Sequence, residues 1–259
     1  MKIATFNVNS IRRRIANVVQ WLGEAQPDVV LLQELKCQDE QFPALDLSGA
    51  GYQSACVGQK AYNGVAILSR HKIDVTLRAL PGEDSDDHAR YIEADIDDGN
   101  QKIRVASIYL PNGNPIDTPK FPYKLRFLER LRRRAQELLE LDYPVVLGGD
   151  YNVAPTDEDV FDIKKVAGDA LVQPETRLGW RGIVNLGYTD AFRALHGEPH
   201  QYTFWDYQAG AWPRDNGWRI DHLLLSPQAA DRLQECVIDR AVRGRQDASD
   251  HTPIWCRLG

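Results

Sequence analysis

Five short polar segments contain the residue types that handle a phosphate group and a metal ion. They are Phe6-Asn7-Val8-Asn9, Leu32-Gln33-Glu34, Gly148-Gly149-Asp150-Tyr151-Asn152, Trp218-Arg219-Ile220-Asp221-His222 and Ser249-Asp250-His251. Their Asn, Asp, Glu and His residues stand at or just past apolar, strand-like runs. Strand ends are where a rigid sheet presents polar groups to a ligand. Because the segments come from across the whole chain, we predict that they meet in one metal- and phosphate-handling site.

Glu34 is the candidate metal ligand. It follows an apolar run at 29–32, and Mg²⁺ takes one or two protein carboxylates while keeping positions for water and substrate phosphate. Asn7 ends the preceding strand and could brace that carboxylate as a neutral partner. A single Glu after a strand is also typical of an ordinary loop, so Glu34 is informative only together with the other segments.

The remaining polar segments suggest acid–base and electrostatic chemistry. Asp150 and Asn152 are two residues apart, so in an extended segment their side chains point the same way. The same residues also fit an ordinary Asx turn. Asp221 interrupts an apolar run, where a carboxylate is costly unless it is paired, and a structural role is an equal alternative. Asp250 beside His251 can hold the imidazole in one tautomer and keep it basic.

The elements that must position these residues form an α/β pattern. A helix with Ile11, Val18 and Leu22 at helical spacing follows the first strand, and a long helix covers 121–141. Strands are predicted at 2–8, 29–32, 52–57, 62–69, 73–79, 90–96, 102–110, 145–147, 202–205, 219–226 and 253–258. The strands come in runs rather than in alternation with helices. This pattern favours packed sheets covered by helices on their outer faces over a Rossmann or barrel fold.

Composition sets broad limits on the protein. The chain has 259 residues, 43% of them hydrophobic, and its site segments span it from end to end, so we expect a single domain over residues 1–259. Four widely spaced cysteines are typical of free thiols in a reducing compartment.

No signal peptide and no apolar run of the roughly 18 residues that span a membrane is visible, so we expect a soluble, cytoplasmic protein without a membrane partner. The net charge of −6 argues only weakly against nucleic acid, since a local basic rim is enough for an enzyme.

The chain resembles the exonuclease III family of apurinic/apyrimidinic (AP) endonucleases, within the DNase I-like endonuclease/exonuclease/phosphatase superfamily. The resemblance covers essentially all residues and rests on eight motifs in family order. Besides Phe-Asn-Val-Asn, Leu-Gln-Glu and Ser-Asp-His, they are Tyr-Asn-Gly-Val-Ala (62–66), Tyr-Leu-Pro-Asn (109–112), Gly-Asp-Tyr-Asn-Val-Ala-Pro (149–155), Tyr-Thr-Phe-Trp-Asp-Tyr (202–207) and Gly-Trp-Arg-Ile-Asp (217–221).

This resemblance implies a fold and a set of catalytic roles. The implied fold is a four-layered α/β sandwich, with two packed mixed β-sheets, helices on both outer faces and the site at one edge. Glu34, with Asn7 nearby, would hold Mg²⁺, for which Mn²⁺ could substitute. Asp150 would activate the attacking water, oriented by Asn152. His251, held by Asp250, would contact the scissile phosphate, and Tyr109 would lie beside that phosphate. Asp221 would assist at the leaving-group side, or would support the residues that contact the substrate without touching it. The general base is left open among Asp150, His251 and Tyr109. Asn9 stands where relatives carry Asp.

The resemblance also implies contacts to DNA. The implied contacts to the DNA backbone are Arg12, Tyr62, Asn112, Lys120 and Lys124, and we expect the two lysines in a loop before the long helix. Phe204, Trp218 and Ile220 match an apolar pocket that receives a sugar without its base. Four arginines of the long helix, at 130 and 132–134, are expected on a solvated face.

The leading hypothesis is a Mg²⁺-dependent DNA repair nuclease. It would act in base excision repair as an AP endonuclease and 3′-to-5′ exonuclease on duplex DNA with abasic sites or with recessed or blocked 3′ ends, and it would be a monomer. An alternative keeps the fold and the metal but places another, non-abasic substrate in a phosphodiesterase or phosphatase. A third hypothesis, a non-catalytic relative that has lost its active-site carboxylates, is disfavoured because every expected residue is present.

Overall fold

The computed structural model describes residues 1–259. Its strands are β1 Lys2–Asn7, β2 Val29–Gln33, β3 Gln53–Val57, β4 Val65–Ser69, β5 Lys72–Leu77, β6 Tyr91–Asp97, β7 Lys102–Tyr109, β8 Val145–Asp150, β9 Thr189–Asp190, β10 Asp221–Leu225, β11 Leu233–Ile238 and β12 Ile254–Leu258. Its α-helices are α1 Ile11–Ala25, α2 Ala44–Gly49, α3 Lys120–Leu138, α4 Ile163–Val166, α5 Pro174–Val184, α6 Ala191–Leu195 and α7 Pro227–Ala230.

The strands form two six-stranded sheets. Sheet I has the order β11-β12-β1-β2-β4-β3, and sheet II has the order β5-β6-β7-β8-β10-β9. Each sheet contains one parallel pair, β1 with β2 in sheet I and β7 with β8 in sheet II, and its other pairs are antiparallel. Both sheets are therefore mixed, as the resemblance implies.

Alternating side chains of sheet I explain why its strand β2 is continuously apolar over 29–32. In β2, Val29 and Leu31 join the core between the two sheets, whereas Val30 and Leu32 point to the opposite face. There they pack with Trp21 and Leu22 of α1 and with Leu47 of α2. A strand covered on both faces has no position where a polar residue would be solvated.

Sheet II is covered in the same way on its outer face. Side chains of α3 and α5 pack there against Leu147 of β8 and Leu224 of β10, in one apolar cluster that includes Phe127, Leu131 and Trp180. The layers are thus helix, sheet, sheet and helix. The predicted four-layered sandwich is confirmed.

Some elements differ from the prediction. The long helix begins at Lys120, so both candidate lysines lie in α3 rather than in a loop before it. The segment predicted as a strand at 202–205 makes only isolated bridges, from Phe204 to Trp218 and to His251, because these short loops meet at the site edge without a ladder. Strand β11 was not predicted, since Leu233–Ile238 mixes polar and apolar residues at the border of sheet I.

Two further observations concern the whole chain. All four cysteines are free, with Cys37, Cys236 and Cys256 buried and Cys56 half-buried. None of the helices combines the length and the apolar character that crossing a membrane would require.

Candidate active site

Strand register brings the predicted polar ends together at one edge of the two sheets. Asn7 at the end of β1 pairs with Gln33 at the end of the parallel strand β2, so Glu34 follows directly. In sheet II, Tyr109 at the end of β7 pairs with Asp150 at the end of β8. Strand β10 runs antiparallel to β8, and its first residue, Asp221, lies opposite Asp150.

The Asn7 amide joins the two principal carboxylates. Its Nδ2 donates to Oε1 of Glu34 and to Oδ2 of Asp150, each at 2.9 Å. Its Oδ1 accepts the backbone N–H of Asn9 at 3.0 Å, so the amide nitrogen faces the carboxylates. Tyr109 donates its hydroxyl to Oε1 of Glu34 at 2.9 Å. Asn7 therefore links a carboxylate of sheet I to a carboxylate of sheet II.

Glu34 is held in an uncommon backbone conformation. Its φ is 54°, in the left-handed region that a non-glycine residue seldom adopts. The turn is fixed because the Glu34 carbonyl accepts from Ser10 and the next residue, Leu35, donates to Gly64. Strained conformations of this kind persist where the surroundings determine them, commonly at functional sites. The conformation leaves the carboxylate beside both Asn7 and Lys36.

Lys36 is a cation at the site that sequence reasoning missed. Its ammonium donates to Oε2 of Glu34 at 2.8 Å and to Oδ1 of Asn9 at 2.6 Å. The only sequence signal was its position two residues after Glu34. Burial opposes the charge on Glu34, but Lys36 and the Asn7 amide outweigh it and lower the pKa of that carboxyl.

The histidine partner differs from the expectation. His251 Nδ1 lies 2.8 Å from Oδ2 of Asp221, so Asp221 rather than the neighbouring Asp250 holds the imidazole. Asp250 Oδ1 instead accepts from Asn9 Nδ2 at 2.9 Å. Successive side chains of an extended segment point to opposite sides, so Asp250 and His251 cannot both face inward. The predicted pairing of Asp250 with His251 is wrong.

Electrostatics at this edge favour a cation. Burial raises the pKa of Asp150 to about 7, and repulsion from Asp221 and Glu34 adds to that effect although His251 opposes it. Burial disfavours the charged form of His251, but Asp221 and Asp150 outweigh it and raise its pKa to about 10. Burial, together with Glu34 and Asp150, raises the pKa of Tyr109 well above its ordinary value, so this phenol stays protonated.

The donor set fits a hard divalent ion. Carboxylate oxygens of Glu34 and Asp150 lie within 4.8 Å of each other and of a ring nitrogen of His251, which as an imidazolium is a neighbour of the ion and not a ligand. Oδ1 of the nearby Asp221 is buried without a hydrogen-bond partner. Such a concentration of carboxylates is relieved by a cation, and carboxylate oxygens are the ligands that Mg²⁺ prefers. Asn7 presents its nitrogen to this centre, so it braces the two carboxylates and is not placed to ligate through oxygen.

Asn152 and the two glycines before Asp150 fix the position of the loop after β8. The Asn152 backbone N–H donates to Oδ1 of Asp150 at 2.9 Å, and its Nδ2 donates to the Leu110 carbonyl at 3.0 Å. A Cβ at Gly148 would lie 2.5 Å from Leu31 of the facing sheet. This glycine therefore permits the close approach of the two sheets directly below the site.

A buried ion network positions the start of β10. Arg219 Nε donates to Oδ1 of Asp159 at 2.7 Å, and Arg219 Nη1 donates to Oδ2 of Asp190 at 2.8 Å. Two residues further on, the backbone N–H of Asp221 donates to the Thr203 hydroxyl at 3.1 Å. Neither Thr203 nor this arginine was predicted to serve the site, although Arg219 stands inside the Gly-Trp-Arg-Ile-Asp motif.

The predicted DNA contacts fall into two groups. Arg12, Tyr62, Asn112 and Lys120 are exposed, as contacts to a large ligand must be. Lys124 is fully buried, and its ammonium donates to the carbonyls of Pro111 and Asn152 at 3.0 and 2.6 Å. It lies on the inner face of α3 and cannot reach a DNA phosphate, so this predicted contact is wrong.

The three apolar residues of the predicted sugar pocket lie together. Backbone bridges join Phe204 to Trp218 and to His251, and the Phe204 ring centroid is 4.8 Å from that of His251. Phe204 and Trp218 are half-buried and pack against a small apolar cluster. Ile220 is a buried member of that cluster, so it supports the two rings from below.

Comparison with known proteins establishes the class to which this fold and site belong. Residues 4–251 match the model described as the Endonuclease/Exonuclease/phosphatase family. The chain belongs to this family, and the predicted resemblance is confirmed.

Particular relatives are similar over most or all of their length. Exodeoxyribonuclease III of Haemophilus influenzae is 31% identical over 266 residues, covering 100% of both chains. The DNA repair nuclease APEX1 of Danio rerio is 30% identical, covering 98% of this chain and 81% of its own. Among solved structures, an AP endonuclease from Archaeoglobus fulgidus has a TM-score of 0.93 at 38% identity, covering 100% of this chain and 99% of its own. The 3′ phosphatase NExo from Neisseria, bound to a product DNA hairpin, has a TM-score of 0.94 at 35% identity, covering 100% and 99%.

Proposed function

We propose that this protein is a DNA repair nuclease that hydrolyses phosphodiester bonds at abasic sites and at 3′ ends of duplex DNA, with Mg²⁺ as its cofactor. The observation that carries the proposal is the bridge that Asn7 makes between Glu34 and Asp150, beside the pair of His251 and Asp221. Family membership and the names of the full-length relatives support the same conclusion.

Each side chain then has a chemical task. A bound Mg²⁺, held by Glu34, would stabilise the charge that develops on phosphate oxygens. Asp150 takes the proton of the attacking water, because its pKa, raised to about 7, suits a general base at neutral pH. His251 stays an imidazolium and contacts a phosphate oxygen. Tyr109 stays protonated, so it donates a hydrogen bond and does not serve as the base.

The substrate preference depends on the half-buried rings beside His251. Phe204 and Trp218 line an apolar surface next to the charged centre, with Ile220 beneath them. A deoxyribose without its base fits such a surface, whereas a complete nucleotide carries a base that must be placed elsewhere. We therefore propose a preference for abasic sites within duplex DNA.

Two matched duplexes test this function. One carries a single tetrahydrofuran abasic analogue, and the other has the same sequence with an intact nucleotide and a recessed 3′ end. We expect cleavage of the abasic duplex that EDTA abolishes and Mg²⁺ restores. Trp218→Ala should lower the ratio of abasic to intact-site cleavage, and its unchanged Mg²⁺ dependence serves as the internal control.

Other results of this experiment would contradict parts of the proposal. Equal rates on the abasic and intact sites would favour a general exonuclease. No cleavage of either duplex would favour a phosphodiesterase or phosphatase that acts on another substrate with the same centre. An abasic preference that persists in Trp218→Ala would contradict the assignment of the sugar pocket and would leave the nuclease function unaffected.

A further inference from the structure

Thr203 is a buried residue between the three apolar residues of the sugar pocket and the catalytic centre, and it has no part in the function proposed above. Its exposed fraction is 0%, and it directly precedes Phe204 in the chain. Its hydroxyl oxygen accepts the backbone N–H groups of Ile220 and Asp221, each at 3.1 Å. One side chain therefore holds two consecutive residues at the point where β10 begins.

Sheet II provides no second strand beside the start of β10. In the order β8-β10-β9, the short strand β9 pairs only with Leu224 and Leu225 and does not reach Asp221. A buried backbone N–H without an acceptor is costly, and the Thr203 hydroxyl supplies the acceptor for Asp221. The backbone position of Asp221 therefore depends on a side chain rather than on a neighbouring strand.

The backbone of Thr203 is connected to the segment that carries the imidazole. Its carbonyl accepts the N–H of Thr252 at 2.8 Å, and Thr252 directly follows His251. Its own N–H donates to the Trp218 carbonyl at 2.9 Å. Thr203 thus holds Asp221 through its hydroxyl and the His251 segment through its carbonyl.

We propose that Thr203 is a positioning residue, which aligns the Asp221 carboxylate with the His251 ring and thereby sets the rate of hydrolysis. The Asp221 carboxylate makes one hydrogen bond, from Oδ2 to His251, and its Oδ1 is buried without a partner. With so few contacts of its own, this carboxylate takes its position from the backbone that Thr203 fixes. The inference rests on the proposed function, because it assigns a role in the same hydrolytic step.

Thr203→Val keeps the shape of the side chain and removes the hydroxyl. Because a misplacement of about 1 Å can cost about a hundredfold in rate, we expect single-turnover cleavage to slow by at least about tenfold. The Kd for the duplex, measured in EDTA, should stay within about threefold, since the pocket residues are unchanged. Thr203→Ser retains a hydroxyl and should cleave within about threefold of the wild-type rate. If Thr203→Val does not fold, Thr203→Cys, whose sulfur is a weaker acceptor, takes its place in the comparison.

A double-mutant cycle separates alignment of Asp221 from a general effect on the fold. If Thr203 acts through Asp221, its hydroxyl matters only while that carboxylate is present. Thr203→Val should therefore slow cleavage by less than about threefold in an Asp221→Asn background. An equal loss of rate in both backgrounds would show that Thr203 does not act through Asp221 and would overturn the proposal.

Ser226→Ala is the matched control. Ser226 is buried just past the other end of β10, where its hydroxyl accepts the backbone N–H of Val145 at 3.0 Å. This variant also leaves a buried donor without its acceptor, so it should lower the resistance to urea as Thr203→Val does. Its cleavage rate should equal that of the wild type. A loss as large as that of Thr203→Val would attribute the effect to stability and contradict the positioning role.

The substrates are the abasic duplex and the duplex with a recessed 3′ end described above. A wild type that cleaves only the recessed end overturns the abasic preference, and the cycle is then measured on that duplex. A wild-type rate in Thr203→Val, on a duplex that the wild type cleaves, overturns this inference alone. A wild type that cleaves neither duplex overturns the proposed function and this inference with it.

Discussion

Nδ1 of His251 lies 2.8 Å from Oδ2 of Asp221, a residue from the other sheet, and not against its neighbour in sequence. His251 lies in the loop before β12 of sheet I, whereas Asp221 is the first residue of β10 in sheet II. Asp150, opposite Asp221 in register, lies 3.7 Å from Nε2 of the same ring. The histidine therefore bridges the two sheets, and its charge depends on their packing.

Asp221→Asn should lower both the turnover rate and the pKa of His251. Removing this carboxylate removes the strongest cause that raises the pKa of His251. We expect a loss of turnover of about a hundredfold or more and a decline of the remaining rate above neutral pH as the imidazolium loses its proton, whereas the wild-type rate should rise through neutrality as Asp150 becomes ionised. The measurement is the pH profile of kcat. Asp250→Asn is the matched control, and a larger effect at Asp250 than at Asp221 would contradict the assignment.

Asp150→Asn should impair the chemical step while leaving DNA binding intact. The substitution preserves the shape of the side chain but removes the proton acceptor, so we expect at least about a hundredfold lower kcat. Single-turnover cleavage and a separate binding titration distinguish the two effects. A loss below tenfold would exclude Asp150 as the central base.

Glu34→Gln should reduce the affinity for the divalent ion. The Glu34 carboxylate lies within 4.8 Å of a carboxylate oxygen of Asp150 and a ring nitrogen of His251, and a neutral amide is a poorer ligand for a hard cation. We expect at least about tenfold weaker binding of Mn²⁺, followed by electron paramagnetic resonance, and a matching shift in the Mg²⁺ requirement of cleavage. Glu129→Gln, on the outer side of α3, is the control and should bind the ion like the wild type.

Arg219→Met should destabilise the fold strongly. Arg219 is 1% exposed and pairs with Asp159, which is fully buried, and with Asp190. Removing one partner of a buried ion pair leaves an uncompensated charge, so the free energy of unfolding should fall by about 3–5 kcal/mol. Arg240→Met breaks an exposed pair with Asp215 and should cost at most about 1 kcal/mol. Urea denaturation of both variants measures the difference, and equal effects would contradict the role of burial.

The stability of the protein should fall in mild acid because of His222. Burial, assisted by Arg219, lowers its pKa from 6.5 to about 4. Between pH 6.5 and about 4, His222 is therefore mainly protonated in the unfolded chain and mainly neutral in the folded chain. The contribution of neutral His222 to the free energy of unfolding is complete above pH 6.5 and is lost as the pH falls toward 4. The loss between pH 7 and pH 5 should be about 2 kcal/mol. Urea denaturation should show a smaller loss over this interval in His222→Gln. An identical loss would contradict this explanation.

The sequence was sufficient to predict the main strands and the residues at their ends. The runs at 29–32 and 145–147 are apolar because both faces of their strands are covered, and this pattern can be recognised in the sequence alone. Motif order then identified the family, so Asn7, Glu34 and Asp150 could be grouped before any distance was known.

Contacts between separate elements could not be predicted in the same way. The expected pairing of Asp250 with His251 came from adjacency, whereas the real partner lies 30 residues away along the chain. Lys124 is buried because its side chain folds against the Pro111 and Asn152 carbonyls, a compensation that no local pattern records. Arg130, expected on a solvated face, is likewise buried against Asp86.

Strand β12 lies inside sheet I, between β11 and β1, although it is formed by residues 254–258. During synthesis on the ribosome, β1 has its parallel neighbour early, but its other side stays unpaired until β12 emerges. His251, which directly precedes β12, reaches Asp221 at the same late stage. A nascent chain therefore carries Glu34 and Asp150 long before it can cleave DNA, so hydrolytic activity appears only after Ile254–Leu258 has left the exit tunnel and paired with β1.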